Sequence, residues 1–163
     1  MTIRKATQND LTAIVAIYNE TIPGRMVTAD TEEVSVADKQ AWFDSHTEKR
    51  PIFVFEQQSK VLAWLSYKSF YGRPAYDGTV EISIYITQQA QGQGLGKQLL
   101  TFSEQHAKTI GIKVLVAFIF SHNIPSIKLF KRLNYKVWGE LPKIAIMDNK
   151  AYGLTILGKH LQP

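Results

Sequence analysis

A chain of 163 residues, 45% apolar and 20% charged, is long enough for one buried core and short for two ordinary domains, so a single domain over 1–163 is expected. It has no cysteine, which excludes disulfides, thiolate nucleophiles and Cys-ligated zinc. The 19 Lys+Arg against 14 Asp+Glu leave a net charge of +5 that suits an anionic partner, but the cations are scattered and no nucleic-acid-binding motif accompanies them. No nucleic-acid partner is therefore expected. The longest apolar stretches, such as residues 114–120, fall far below the ~20 residues of a membrane span. Residues 1–10 mix charged and polar side chains with no apolar signal core. A cytoplasmic protein without a membrane partner is the expectation.

Residues 1–6 read as a short strand. Thr7 to Asp10 supply caps for a helix whose apolar face is Leu11, Ile14, Val15, Ile17 and Tyr18, fading near Pro23-Gly24. Residues 25–33 are polar and irregular, and Ser35 to Asp38 cap a second helix carrying Trp42 and Phe43. Residues 52–56 and 61–67 flank a polar turn, which predicts a hairpin. A loop over 71–78 leads into a strand over 79–86. The glycine-rich segment 91–96 then opens a helix to about Thr109, with Gly111 as its C-cap. Residues 114–120 are almost wholly apolar, as in a strand covered on both faces. Pro125 opens a helix through Leu133, and Asn134 tolerates the left-handed turn at its end. Residues 135–141 and 151–160 read as strands around a turn at Asp148-Asn149. The order is a mixed α+β one, a sheet flanked by helices.

Gln91-Gly92-Gln93-Gly94-Leu95-Gly96-Lys97 lies between a strand and a helix, where free N–H groups and the positive helix end suit a pyrophosphate. It is no Walker A loop, because Lys97 is followed by Gln98. It is no dinucleotide fingerprint, because the spacing is G-x-G-x-G and no acid follows about twenty residues on. Gln91, Gly94 and Gly96 do fit the Arg/Gln-x-x-Gly-x-Gly/Ala loop of the GNAT acetyltransferases. Asn123, Ser126, Phe130, Leu133 and Tyr135 resemble that superfamily's later motif. Arg73, Ala75-Tyr76-Asp77, Thr79, Glu81, Tyr85 and the glycine loop together resemble the phosphinothricin and methionine sulfoximine acetyltransferases, as do Asn19, Thr28 and Trp42.

The resemblance implies a central, mostly antiparallel GNAT sheet with a splayed strand pair that holds CoA. It also implies acetyl transfer from acetyl-CoA to a small amino-acid-like amine, and a homodimer. Glu81, among apolar neighbours, is the expected base, with a raised pKa. Ser83, Ile84 and Tyr85 are expected to meet the cofactor through their backbone, with an N–H near Tyr85 at a strand bulge stabilising the thioester oxygen. Gln91, Gly92, Gln93, Gly94, Leu95 and Gly96 would hold the pyrophosphate, and Asn123 and Ser126 the pantetheine side. Val80, Glu81 and Ile82 with the loop residues Tyr71, Gly72 and Arg73 form the expected acceptor site. Arg73 would be the carboxylate anchor and Arg25 the second choice.

Two departures stand out. Phe130 replaces a tyrosine that serves as the acid in many GNAT enzymes, leaving Tyr85 as another donor. Residues 145–153 lack the Trp and final Asp common in the phosphinothricin branch. A protein N-terminus, a lysine or a polyamine is the alternative acceptor, and a non-catalytic CoA sensor the alternative function. The four histidines show no zinc spacing and no serine-hydrolase elbow is present, so no metal is expected.

Overall fold

The computed structural model describes residues 1–162, and Pro163 lies outside the described residues. Seven strands form one sheet in the order β1-β2-β3-β4-β5-β7-β6. They are β1 (Thr2–Lys5), β2 (Ile52–Gln57), β3 (Lys60–Ser69), β4 (Thr79–Ile86), β5 (Val114–Phe120), β6 (Lys136–Met147) and β7 (Lys150–His160). Every neighbouring pair is antiparallel except β4 and β5. The helices are α1 (Leu11–Glu20), α2 (Val36–Asp44), α3 (Leu95–Thr109) and α4 (Ile124–Arg132). No helix among the described residues is long and apolar enough to cross a membrane.

The period of two along each strand divides the helices between the faces. In β2, Phe53 and Phe55 join the core under α3 and α4, with Leu99, Leu100 and Phe130. Ile52 and Val54 join the core under α1, with Ile14, Ile17 and Tyr18. Trp64 of β3 adds to this second core and donates from Nε1 to the Ile14 carbonyl at 3.1 Å. α2 is held differently, since none of its residues is fully buried. Its start is a capping box, in which Ser35 Oγ accepts from Asp38 N and the Asp38 carboxylate accepts from Ser35 N, both at 3.0 Å.

The predicted strands over 79–86 and 114–120 match β4 and β5 end to end. The strand expected over 135–141 differs. β6 runs on to Met147 through an irregularity between Leu141 and Ala145, where Lys143 has φ +55°. Pro142 reads locally as a strand breaker. On an edge strand it is tolerated at a bulge, because no further ladder needs its N–H.

Ser35→Ala should lower stability by about 1 kcal/mol, the usual worth of an N-cap side chain. Urea unfolding of the variant checks this, and an unchanged midpoint would mean that α2 is held by its aromatic contacts alone.

Candidate active site

β4 and β5 pair only at Thr79↔Val114, Val80↔Leu115 and Glu81↔Val116. Beyond this, β3 keeps β4 paired as far as Ile86, and β7 keeps β5 paired as far as Phe120. The two central strands therefore part after Glu81. The phase of the β3–β4 ladder shows which backbone groups face the gap. Thr87 N donates to the Leu62 carbonyl (2.9 Å) and Phe70 N to the Thr79 carbonyl (3.4 Å), and the register between them has no bulge. Hydrogen-bonded pairs alternate along an antiparallel ladder, so Glu81, Ser83 and Tyr85 spend their backbone groups on β3. Ile84 and Ile86 turn theirs to the gap. The bulge expected near Tyr85 is absent from the β3–β4 register, and the N–H beside that position that faces the gap is the one of Ile84.

The glycine loop closes the same end of the gap. Gly92 and Gly94 have φ of +76° and +79°, and a Cβ on either would meet nothing within 4 Å. Gly94 is the N-cap of α3 in the left-handed conformation, and Gln98 N donates to its carbonyl at 3.2 Å. Among the described residues no acceptor pairs with the N–H groups of residues 92–97. Such a run at the start of a 15-residue helix fits a phosphate group. Gly96 serves packing, since a Cβ there would lie 2.7 Å from Leu129 and 3.6 Å from Ile86. Leu95 is buried in the core, so only its backbone is available to a ligand. Gln91 and Gln93 are exposed, and Gln93 donates to the Gln89 carbonyl.

On the other face of β4 a cavity of about 250 Å³ opens under α1 and α2. Glu81, Ser83 and Tyr85 reach it from β4, and Trp64, Ser66 and Lys68 from β3. Tyr85 stacks on Trp64 (4.4 Å, 20°) and lies 5.2 Å from Tyr18. The Tyr18 hydroxyl bridges Thr28 (2.6 Å) and Asp30, and burial, then Asp30, push its pKa up to about 12. Burial pushes the Glu81 carboxyl above the ordinary carboxylate range, against the pull of Lys68, its register partner on β3. Burial also raises the Tyr85 phenol, which keeps it protonated. A larger cavity, about 370 Å³ around His46 and Glu48, shares no residue with β4 or the glycine loop.

Several expected residues lie elsewhere. The side chains of Val80 and Ile82 point into the α3 core, as alternation with Glu81 requires. Tyr71, Gly72 and Arg73 are exposed in the β3–β4 loop and do not line the cavity. The Arg25 guanidinium pairs with Asp148 at 2.8 Å. Asn123 uses both ends of its amide within the fold: Oδ1 caps α4 at Ser126 N (3.3 Å) and Nδ2 donates to the Met26 carbonyl (3.1 Å). The Ser126 backbone N–H is thereby part of the cap.

Residue-by-residue reading missed Lys39, Lys68, Trp64 and Tyr18. The alternation of Trp64, Ser66 and Lys68, opposite Glu81, Ser83 and Tyr85, is the signal that carries β3's share. Glu20 was missed as well. Its carboxylate accepts from Thr87 Oγ1 (3.0 Å) and Gln88 N (2.9 Å), tying the end of α1 to the strand end that leads into the glycine loop.

The model of the acetyltransferase (GNAT) domain family matches residues 3–155. The Bacillus subtilis protein named "Putative phosphinothricin acetyltransferase YwnH" is 52% identical over 162 residues, 99% of each chain. The L-methionine sulfoximine/L-methionine sulfone acetyltransferase of Pseudomonas aeruginosa is 34% identical, over 99% of this chain and 95% of that one. Among solved structures, a GNAT superfamily phosphinothricin acetyltransferase from Sinorhizobium meliloti in complex with AcCoA has a TM-score of 0.92 at 26% identity, covering 98% of this chain and 88% of that one. A family match running from the first strand into the last, together with these near full-length relatives, means that the chain belongs to the GNAT acetyltransferase family.

Proposed function

We propose that the chain is one domain that transfers the acetyl group of acetyl-CoA to the amine of a small amino-acid-like acceptor, in the cytoplasm and as a homodimer. The observation that carries this reading is the division of labour across β4. One side offers free backbone groups and the glycine loop, and the other offers a partly desolvated carboxylate in a cavity walled by Tyr18, Trp42, Trp64 and Tyr85. A cavity of about 250 Å³ suits a small acceptor better than a protein segment, which needs an open groove. The uncovered Trp138, Ile144 and Ile146 on edge strand β6 favour the dimer.

Acetyl-CoA supplies the electrophilic thioester when bound. The N–H groups of residues 92–97 hold its pyrophosphate, and the backbone of Ile84 and Ile86 pairs with the pantetheine arm in strand fashion. The Ile84 N–H also faces the oxygen on which charge builds. Glu81 takes up the proton that the attacking amine must lose, which its raised pKa favours. As the C–N bond forms the C–S bond breaks, and CoA leaves as the thiolate, which takes its proton from water, because burial raises the Tyr85 phenol and makes it a poor donor. Phe130 plays no part in this, buried edge-to-face against Tyr135 at 4.9 Å.

Gly94→Glu should abolish measurable acetyl-CoA binding by calorimetry, because it sets a carboxylate against the pyrophosphate. Gly94→Asn, which tolerates the left-handed backbone, should keep most of the affinity. Equal binding by folded Gly94→Glu and wild type would remove the loop from the cofactor site. Glu81→Gln should keep acetyl-CoA binding and lose roughly 10²–10⁴-fold in turnover.

The same variant should be more thermostable than wild type at pH 8. A carboxyl whose pKa is raised on folding opposes the fold once ionised, and that opposition vanishes when both states are protonated. The gap in Tm should therefore close as the pH falls to about 4 and below. A Glu81→Gln protein less stable than wild type at pH 8 would mean that the carboxylate is held by a favourable partner.

A further inference from the structure

We propose that Lys39 selects for acceptors that carry a carboxylate beside the amine, an inference that rests on the small-acceptor reading above. The cavity is lined by one acid, Glu81, and two cations, Lys39 and Lys68. Lys68 is exposed, and what it does toward the cavity is act on Glu81. It is the register partner of Glu81 on the neighbouring strand, and its charge opposes the rise in the Glu81 pKa. Lys39 reaches the cavity from α2, across from the sheet. Its ammonium sits 5.2 Å from the ring centroid of Tyr18 and 5.6 Å from that of Trp42. Among the described residues the ion pairs are Arg4 with Asp10 and Glu56, Lys5 with Glu48, Arg25 with Asp148 and Lys159 with Glu104. Neither Lys39 nor Lys68 is in them, and of the two it is Lys39 that is half-buried against the aromatic rings.

An ammonium half-buried over two aromatic faces has lost part of its hydration and keeps hydrogen-bond donors that the rings do not use. A carboxylate is the ligand group that completes it. The same cavity then has a polarity. Glu81 attracts the acceptor's amine toward the β4 edge, and Lys39 holds the acid group against the Tyr18–Trp42 side. A zwitterionic amino acid fits both ends at once. A diamine or polyamine would place a second cation beside Lys39, an unfavourable pairing that supplies specificity by repulsion. Arg73, exposed outside the cavity, is not needed for this.

The test measures thiol release from acetyl-CoA with methionine sulfoximine and with its decarboxylated amine, for wild type, Lys39→Met, Lys39→Arg and Lys68→Met. The Met variant keeps the stem that packs on Tyr18 and Trp42 and removes the charge. We expect wild type to prefer the acid. Lys39→Met should raise KM for the acid ~10–100-fold with little change in kcat, the weight of one hydrogen bond to a charged group. The ratio of kcat/KM for acid over amine should fall by the same factor. Lys39→Arg should restore most of it, and Lys68→Met should move the pH profile more than the ratio.

Equal losses on both acceptors in Lys39→Met, accompanied by a lower Tm, would overturn the proposal and leave Lys39 as packing for α2. Equal use of acid and amine by wild type would overturn it while leaving the acetyl transfer intact. Wild type that binds acetyl-CoA by calorimetry but acetylates neither acceptor would overturn the small-acceptor reading and, with it, the role of Lys39.

Discussion

The parting of β4 and β5 after three paired positions is the constraint on which the rest of this protein depends. Strands inside a sheet normally satisfy each other's backbone groups, and an opening there leaves donors and acceptors that need a partner. Here the opening lies between strands that are each still anchored on their far side, β4 by β3 and β5 by β7. The gap is therefore rigid at both walls. A parallel pair also sends both strands toward the same end of the sheet. That end is where β4 turns into the glycine loop and β5 turns into the Asn123 cap of α4.

β4 keeps two environments apart by simple alternation. Its even-numbered side chains pack on the core beneath α3, and Glu81, Ser83 and Tyr85 line the cavity beneath α1 and α2. Its backbone, a third surface, divides its hydrogen bonds between β3 and the gap. One eight-residue strand thereby supplies a core wall, a desolvated carboxylate and an edge for a ligand. The arrangement opposes stability locally, because a half-buried acid without a hydrogen-bonded partner resists ionisation. The same resistance gives Glu81 the proton affinity that suits a base.

The two helices over the cavity are held differently, α1 by a buried apolar face and α2 by partly buried contacts and its cap. α2 buries no residue fully and rests on its capping box, on the Trp42–Trp64 contact at 5.4 Å and on Lys39 over the aromatic rings. The segment between α1 and α2 is tied across to the far half of the sheet. Its Arg25 carbonyl meets His122 Nε2 at 2.8 Å, its Met26 carbonyl meets Asn123, and the Arg25 side chain meets Asp148. These ties join the segment between the two helices to the turn that follows β5 and to the β6–β7 turn.

The sequence by itself determined most of the elements and the glycine loop, and it singled out Glu81 on a strand among apolar neighbours. Those features are local: apolar period, caps, turn residues and a loop whose glycines need left-handed backbone at Gly92 and Gly94. It also carried the family resemblance, which the full-length matches uphold. Only the tertiary structure decided which backbone groups of β4 are free, because that depends on hydrogen-bond phase with β3 rather than on β4's own residues. It also decided that Asn123 is consumed by the fold, since its partner, the Met26 carbonyl, lies 97 residues away. Arg73 stands just before the strand of Glu81 in the chain yet does not line the cavity. Lys39 lies 42 residues before Glu81 and lines the cavity with it only because α2 covers that face of the folded sheet. Charge near a site in sequence is legible from one dimension, whereas charge near a site in space is set by which face of the sheet each helix covers.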